Sequence, residues 1–384
     1  MTNDTTDLIR RIHDAPAKAV IAVTGGGSRA IGDLLAVAGA SRTLIEAVVP
    51  YAASALVDFL GAEPEQFCSE RTARAMAMAA LMRAIDLGDE SPLLGLGCTA
   101  SLAGDRPKRG SHRAHLALQD IRWTMTHSVQ LEKGRRTRQE EEALVSKLLL
   151  NLLAEGCGLT ERVQVDLSEA ERVEVICTPA DERWQDVLLG LHQAICLPSA
   201  ENSAAQSADP TDRVIFPGAF DPLHEGHREM ARIAAQLTGR SVDFELSILN
   251  VDKPPLDCRE VARRAEQLAP VGNLWLTRTP TFREKADVFP AATFVVGVDT
   301  LERIAEERYY HNDPQQRDAA IAHLVEQDCR FLVFGREVAG RFQSLEDLSL
   351  PASLAGICQM VSEAEFRRDV SSTELRGPGR QADG

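Results

Sequence analysis

The chain contains, at residues 214–227, the sequence Val-Ile-Phe-Pro-Gly-Ala-Phe-Asp-Pro-Leu-His-Glu-Gly-His. Its three apolar residues predict a short buried strand, and Gly218 lets the backbone after that strand approach a ligand closely. His224 and His227 stand three residues apart, at the start of a helix predicted over residues 228–237. Because the free N–H groups and the positive dipole end of a helix start attract anions, imidazoles placed there suit a phosphate-bearing ligand. The pattern therefore predicts a phosphate site between a strand and a helix.

The same stretch resembles the signature Gly-x-Phe-Asp-Pro-x-His-x-Gly-His of the nucleotidyltransferase superfamily, which includes nicotinamide mononucleotide, pantetheine-phosphate and glycerol-phosphate nucleotidyltransferases. Every fixed position of that signature is matched. The resemblance implies that His224 and His227 are catalytic residues at the phosphates. It also implies a nucleotide-binding turn formed by Gly218, Ala219, Phe220, Asp221 and Gly226. The alternative interpretation is a packed turn with two satisfied surface histidines.

A second motif lies near the end of the chain, where residues 370–376 read Val-Ser-Ser-Thr-Glu-Leu-Arg. It resembles the superfamily pattern Ile-Ser-Ser-Thr-x-x-Arg. The resemblance implies that Ser371, Ser372 and Thr373 bind nucleotide through hydroxyl and N–H groups at a helix start. It implies further that Arg376, a forked and permanently charged donor, is catalytic and holds the β- and γ-phosphates. Taken alone, the motif is equally typical of a capped helix start.

Partial matches between the two motifs indicate where an acceptor would bind. An apolar strand predicted over residues 292–298 runs into Asp299, similar to the Gly-x-Asp at the substrate pocket of the nicotinamide mononucleotide branch. Arg336 follows another apolar run, and Lys253 lies in a Lys-Pro-Pro loop where adenylyltransferases carry a substrate loop. Each has a plain alternative. Asp299 equally suits the cap of a helix predicted over residues 301–307, Arg336 a solvated loop charge, and Lys253 an exposed position on a rigid loop.

These residues are typical of the attack of a phosphate oxygen on the α-phosphorus of a nucleoside triphosphate, with release of pyrophosphate. Positioning alone supplies roughly 7–11 kcal/mol in well-oriented reactions, so little covalent chemistry falls to the protein. We expect at least one of His224 and His227 to be protonated beside the accumulating negative charge. Mg²⁺ would accompany the triphosphate, bound through phosphate oxygens and water, since the sequence suggests no dedicated metal ligands.

Composition narrows the remaining functions. The 384 residues carry a net charge of −15 and 44% hydrophobic residues, which suits a globular protein of two or three domains. A pI near 5.1 is unlike the basic footprint of nucleic-acid or anionic-membrane binders, so neither is expected as a partner. The cysteines form no Cys-x-x-Cys pair, and no apolar leader or membrane-length run is present. We expect a cytoplasmic protein. The sequence does not decide its oligomeric state, and a homo-oligomer is one possibility.

Composition also divides the chain. Small and polar residues without periodicity predict a linker at 198–212, so that residues 1–197 would form an N-terminal domain and 213–377 the nucleotidyltransferase domain. Residues 378–384 predict a disordered tail. Near the end of the first domain, apolar periodicity predicts a helix over 184–195.

The N-terminal domain opens, at residues 19–32, with Ala-Val-Ile-Ala-Val-Thr-Gly-Gly-Gly-Ser-Arg-Ala-Ile-Gly, which predicts a strand, a glycine turn and a helix start. This pattern resembles the dinucleotide-binding motif of short-chain dehydrogenases. Those enzymes also need a Tyr-x-x-x-Lys motif, which the chain lacks. Residues 8–155 instead resemble the CinA C-terminal family, the nicotinamide mononucleotide deamidases. The matching segments are 22–26, a strand-like segment at 48–56, 68–77 and 97–104.

The departures from this family concern its chemistry. Ala22 stands where the family has its serine nucleophile, and Leu56 stands at or near its lysine. Neither side chain attacks a carbonyl or moves a proton, so the resemblance implies that deamidase activity is lost. Thr24, Ser28 and Ser54 are alternative nucleophiles, although each equally suits a cap or a turn. The residues expected to line a vestigial nucleotide-sized pocket are Thr24, Gly25, Gly26 and Tyr51.

The sequence therefore predicts an α/β protein of two domains. The C-terminal one is expected to be a Rossmann-like doubly wound parallel sheet, with nucleotide at the carboxyl ends of its strands, and the N-terminal one a CinA C-terminal-like α/β domain. The predicted activity is a Mg²⁺-dependent transfer of a nucleotidyl group, adenylyl in the first instance, from a nucleoside triphosphate to a small phosphorylated acceptor such as nicotinamide mononucleotide. A silent nucleotide-binding regulator and a cytidylyltransferase or other acceptor branch are the alternatives.

Overall fold

The computed structural model describes residues 2–88, 92–106, 109–199, 209–251, 253–338 and 341–366. Within these ranges the chain divides into two compact units. The first contains residues 2–185 and 253–260, and the second contains residues 186–251 and 261–366. Each unit combines helices with a sheet that contains parallel strands, so the predicted α/β class is confirmed.

The first unit is built on a six-stranded sheet of order β2-β1-β3-β4-β5-β6. β1 runs parallel to β2 and β3, and the strands from β3 to β6 are antiparallel. β1 is apolar almost throughout because an inner parallel strand is buried on both faces. The elements are α1 (Asn3–Asp14), β1 (Lys18–Thr24), α2 (Arg29–Ala36), β2 (Leu44–Val48), α3 (Ala53–Leu60), α4 (Glu70–Asp86), β3 (Leu93–Ser101), β4 (His112–Gln119), β5 (Trp123–Leu131), α5 (Arg138–Gly156) and β6 (Val173–Pro179).

The second unit is built on a seven-stranded sheet of order β15-β12-β11-β8-β9-β10-β7, in which β7 alone is antiparallel to its neighbour among the described strands. The elements, with α6 (Glu182–Leu188) leading into them, are β7 (Ala194–Leu197), β8 (Val214–Pro217), α7 (Glu225–Thr238), β9 (Val242–Ser247), α8 (Cys258–Leu268), β10 (Leu274–Thr277), α9 (Phe282–Val288), β11 (Thr293–Gly297), α10 (Val298–Ala305), α11 (Pro314–Glu326), β12 (Arg330–Phe334), β13 (Arg336–Val338), β14 (Arg341–Gln343), α12 (Ala352–Ala355) and β15 (Cys358–Val361).

The order of this second sheet reverses between β8 and β11. From β8 the chain continues to β9 and β10 on one side, and it returns to build β11, β12 and β15 on the other. β8 pairs with β11 only through Val214 and Ile215, whereas its pairing with β9 continues to Pro217. The two strands therefore separate toward their carboxyl ends, which is where doubly wound sheets bind ligands. The predicted Rossmann-like fold is confirmed, with β7 as an antiparallel addition at its edge.

Residues 184–195 differ from their prediction. They do not form one helix, because α6 ends at Leu188 and Gly190 follows it with a φ of 74°, a left-handed conformation that favours glycine. Residues 194–197 then pair with β10. The predicted N-terminal domain of residues 1–197 thus differs from the first unit, whose main segment ends at 185. Most of the predicted linker, residues 200–208, lies outside the described residues, as does the predicted tail at 378–384.

Candidate functional site

The turn after β8 is shaped by a close contact between Gly218 and Phe220. A Cβ atom on Gly218 would lie 2.6 Å from the Phe220 ring, so this position requires glycine. The N–H of Gly218 donates to the backbone oxygen of Glu245 at 3.0 Å, which extends the sheet one residue beyond β8. Phe220 has a positive φ of 47°, and the peptide bond between Asp221 and Pro222 is cis. The turn thus directs the chain from β8 into α7.

Aromatic packing fixes His227 in the first turn of α7. Its ring lies edge-on to Phe220 and Phe216, with ring centroids 5.2 and 5.9 Å away. Phe244 on β9 packs against both phenylalanines. Phe220 is 1% exposed, so the predicted nucleotide-binding residue contributes by packing beneath the histidine. Gly226 is buried and stands between the two histidines in the sequence. Because it is glycine, it places no side chain beside the two imidazoles.

The two predicted catalytic histidines stack on each other. The ring centroids of His224 and His227 are 3.6 Å apart, with an angle of 21° between the ring planes. The Nδ1 atom of His227 accepts the N–H of His224 at 3.3 Å, so the Nε2 atom of a neutral His227 carries the proton. The Nδ1 atom of His224 is buried and has no hydrogen-bond partner within the described residues. Nor do the N–H groups of Glu225 and Gly226 meet an acceptor there.

Burial makes both rings uncharged in the unliganded protein. Loss of solvation lowers the pKa of His224 below its ordinary value. Loss of solvation, together with repulsion from His224, lowers the pKa of His227 to about 3. A negatively charged ligand would act in the opposite direction, because an anion stabilises an imidazolium. The two histidines therefore have uncharged rings, and the Nδ1 atom of His224 has no hydrogen-bond partner among the described residues.

Two of the predicted acceptor residues contact each other at the carboxyl ends of β11 and β12. The Nη1 atom of Arg336 lies 2.6 Å from an Oδ2 atom of Asp299, and both side chains are partly exposed. Asp299 belongs to the first turn of α10 and does not cap this helix, whose N-cap is Gly297. The third predicted residue, Lys253, is exposed in the segment 253–260, which belongs to the first unit.

Asp221 is held by arginines that the sequence analysis did not single out. The Arg263 guanidinium donates to its Oδ1 atom, and Arg264 lies 3.5 Å from its Oδ2 atom. Both arginines are on α8. Their sequence signal was weak, since a pair of arginines on a polar helix is also typical of a solvated surface. Ser371, Ser372, Thr373 and Arg376 lie outside the described residues, so their predicted roles remain predictions.

The glycine turn of the first unit is filled by a carboxylate. Glu142 on α5 accepts the N–H groups of Gly27 and Arg29 at 3.0 and 3.1 Å and the hydroxyl of Ser28 at 3.0 Å. These donors form the start of α2, the position that would otherwise attract a phosphate. A Cβ atom on Gly25 would lie 1.9 Å from the backbone oxygen of Ala100, so the turn packs directly against β3. In the sequence, Glu142 belongs to the acidic run 140–142, which is equally typical of the solvated face of a helix and so does not by itself indicate this contact.

The positions of the expected deamidase residues form an apolar cluster. Ala22 and Leu56 are 0% and 2% exposed and share one cluster with Leu60, Ala75 and Met76. The segment 48–56, predicted to be strand-like, spans the end of β2 and the beginning of α3, so Leu56 is helical. Tyr51 is 68% exposed. Thr24 ends β1, and Gly26 lies in the glycine turn that follows this strand. There the Cys98 thiol donates to the Gly26 carbonyl at 3.4 Å.

Among the described residues, no group of three or more His, Cys, Asp or Glu side chains is arranged to hold a metal ion. In that same part of the chain, none of the helices combines the length and apolarity needed to cross a membrane.

A doubly wound sheet with stacked imidazoles at a helix start, beside its switch point, is typical of α/β nucleotide-binding domains. Residues 215–377 match the family model described as cytidylyltransferase-like. The C-terminal part of the chain thus matches a cytidylyltransferase-like domain, and the predicted resemblance to the nucleotidyltransferase superfamily is confirmed. This family supports a nucleotidyltransferase-type function.

Solved structures similar to the chain include CinA-superfamily proteins, which cover its N-terminal part. The competence/damage-inducible protein CihA of Agrobacterium tumefaciens is 22% identical, with a TM-score of 0.34, over 41% of this chain and 97% of its own. A CinA-superfamily protein of Escherichia coli is 16% identical, with a TM-score of 0.31, over 40% and 88%. One of Enterobacter cloacae is 22% identical, with a TM-score of 0.31, over 41% and 93%. Comparison with curated proteins gave no significant match.

Proposed function

We propose that the C-terminal domain transfers a nucleotidyl group, adenylyl in the first instance, from a nucleoside triphosphate to a small phosphorylated acceptor. The observation that carries this proposal is the pair of stacked histidines at the start of α7, with a buried Nδ1 atom of His224 that has no partner among the described residues. The N–H groups of Glu225 and Gly226, which meet no acceptor in the described part of the chain, lie at the same helix start. An oxyanion of a triphosphate would satisfy these donors together.

In the proposed reaction, an oxygen of the acceptor phosphate attacks the α-phosphorus of the triphosphate. A bond forms between that oxygen and phosphorus, and the bond from phosphorus to the bridging oxygen breaks, so that pyrophosphate leaves with the electron pair. His224 and His227 would donate hydrogen bonds to the phosphate oxygens as charge accumulates there. Arg376, with Ser371, Ser372 and Thr373, would hold the β- and γ-phosphates. Mg²⁺ would arrive with the triphosphate as part of the substrate and shield its charge.

Proton uptake on binding follows from the unliganded pKa values. Both histidines are uncharged at neutral pH because burial lowers the pKa of each ring. The several negative charges of a triphosphate would raise the pKa of both rings and protonate at least one. The site would then gain positive charge only when its ligand is present.

The acceptor site is proposed at the carboxyl ends of β11 and β12. Arg336 is paired with Asp299 and partly exposed, so a phosphate of the acceptor would compete with that carboxylate for the guanidinium. Asp299, once released, would accept hydrogen bonds from a ribose or nicotinamide group. Nicotinamide mononucleotide is the leading acceptor because the Gly-Val-Asp motif at 297–299 resembles that branch. A cytidylyl group is the second candidate, favoured by the description of the matching family.

A pyrophosphate-release screen tests this proposal. Purified full-length protein is assayed with each common nucleoside triphosphate and Mg²⁺, paired in turn with nicotinamide mononucleotide, glycerol phosphate and pantetheine phosphate. We expect release that depends on both substrates and is largest for one pair. Nucleotide binding without release from any pair would instead make the protein a nucleotide-binding regulator.

We propose also that the N-terminal unit has no deamidase activity. The apolar cluster around Ala22 and Leu56 supports this, since neither residue supplies a nucleophile or a base. Occupation of the Gly27–Arg29 turn by Glu142 further argues against a vestigial phosphate pocket at that turn. We expect no release of ammonia from nicotinamide mononucleotide by the full-length protein. Release that persists after Thr24→Val and Ser28→Ala substitution would point to a nucleophile elsewhere.

A further inference from the structure

The Asp221 carboxylate is buried and faces arginines, which is unlike the environment of a group that binds phosphate. It is 7% exposed, and its two oxygen atoms face different arginines of α8. Arg264 is 2% exposed, whereas the Arg263 side chain is 39% exposed. A carboxylate pointing toward a triphosphate would repel it, but two guanidinium groups neutralise this one. The Asp221 side chain is therefore held in place by arginine side chains of α8.

A second contact joins α8 to the same turn. The Oε1 atom of Gln267 accepts the N–H of Leu223 at 3.0 Å. The Nε2 atom of Gln267 donates to the backbone oxygen of Arg263 at 3.2 Å, which fixes the orientation of the amide. Because residues four apart share one face of a helix, Arg263 and Gln267 approach the turn together. α8 thus holds the residue before Pro222 and the residue after it.

The residues that α8 contacts immediately precede the two histidines in the chain. Leu223 precedes His224, whose N–H in turn donates to the Nδ1 atom of His227. A shift of the turn would therefore move the His224 backbone, break this hydrogen bond and separate the stacked rings. Displacements of about 1 Å in a reacting group can reduce a rate by roughly 10²-fold.

We propose that Arg263, Arg264 and Gln267 are positioning residues of the transfer site, which act on the phosphates only through Asp221, Leu223 and the stacked histidines. This inference rests on the proposed function. Its consequence is that Asp221 is a positioning residue as well, although the sequence motif suggests a nucleotide contact.

Kinetics of substituted proteins test the proposal. We expect Asp221→Asn and Arg263→Gln each to lower kcat roughly 10- to 100-fold, with the KM for the triphosphate changed less than about twofold, because the ground-state phosphate contacts remain. The double variant should be no slower than the slower single variant, because both changes break one contact. The matched control is Arg232→Gln, which removes an exposed ion pair with Glu229 on α7 and should leave kcat unchanged.

Three kinetic outcomes would overturn the proposal. The first is a raised KM with unchanged kcat in Arg263→Gln, which would make Arg263 a direct ligand of the substrate. The second is a double variant whose loss equals the product of the single losses. The third is a loss as large in the Arg232→Gln control.

A measurement without turnover separates this inference from the proposed function. Histidine titrations by NMR on the ¹⁵N-labelled full chain should show the rings of His224 and His227 titrating closer to pH 6.5 in Arg263→Gln and Gln267→Leu, because a loosened turn exposes them to water. Titrations unchanged from the parent protein would overturn the positioning role even if pyrophosphate release were observed. If no pair of substrates gives release, shifted titrations would still support it.

Discussion

The two glycine turns of this protein share a sequence pattern and differ in what fills them. Each follows a parallel inner strand, β1 or β8, and precedes a helix, α2 or α7. In the first turn the donors of residues 27–29 are satisfied by Glu142. In the second, the N–H groups of residues 225 and 226 and the Nδ1 atom of His224 have no partner within the described part of the chain. A strand, a glycine turn and a helix can thus offer donors to an anion only where no side chain of the protein already accepts them.

The largest expected effect comes from the histidines of the second turn. We predict that His224→Ala and His227→Ala each lower kcat for pyrophosphate release by roughly 10²–10⁴-fold, because charge on the α-phosphate loses its donors. Circular dichroism should show the fold retained. The control is His192→Ala, whose side chain is 63% exposed in the same unit. Full turnover in either site variant would remove the contrast between the two turns as a basis for function.

The next effect concerns the far end of the triphosphate. We predict that Arg376→Ala raises the KM for the triphosphate about 10- to 100-fold, since a charge-assisted hydrogen bond is worth about 1.5–3 kcal/mol. Initial-rate kinetics with varied triphosphate measure it. An unaltered KM would place the β- and γ-phosphates elsewhere and leave the second turn with histidines alone.

The first turn should respond in stability and not in activity. We predict that Glu142→Ala lowers the free energy of unfolding by about 1–2 kcal/mol, because the donors at the start of α2 lose their acceptor. Urea denaturation measures this change, with Glu174→Ala, an exposed residue of β6, as the control. Pyrophosphate release at saturating substrate should match that of the parent protein. A loss of turnover would mean that the filled turn takes part in the reaction.

The second turn should also make stability depend on pH. Because the pKa of His227 is lowered to about 3 in the folded protein, the unfolded chain binds the extra proton between about pH 3 and pH 6.5. The stabilising contribution is therefore complete above pH 6.5 and is lost as the pH falls toward 3. We predict a shallower fall in unfolding free energy for His227→Gln, measured by denaturation from pH 7 to pH 4. Identical slopes would show that His227 is not desolvated, and so would weaken the account of the second turn.

Local patterns gave much of the fold in advance. The strand at 214–217, the helix after it and the parallel doubly wound sheet follow from apolar runs, a glycine turn and the alternation of strands with helices. The helix predicted over 184–195 was wrong beyond Leu188, because residues 194–197 pair with a strand, β10, that local periodicity does not reveal. Pairing between segments about 80 residues apart leaves no trace in local spacing.

The sequence alone determines which groups stand at the proposed phosphate site, because a motif of fixed spacing places two imidazoles on one turn of a helix whatever surrounds them. The charge of those imidazoles, the partners of Asp221 and the state of the first glycine turn were decided by tertiary structure. Each depends on groups that lie far away in sequence: Phe244 against the Phe220 ring that packs on His227, Arg263 beside Asp221, and Glu142 at the start of α2. Solvation and hydrogen-bond competition are set by what packs nearby, and only the folded chain brings those groups together.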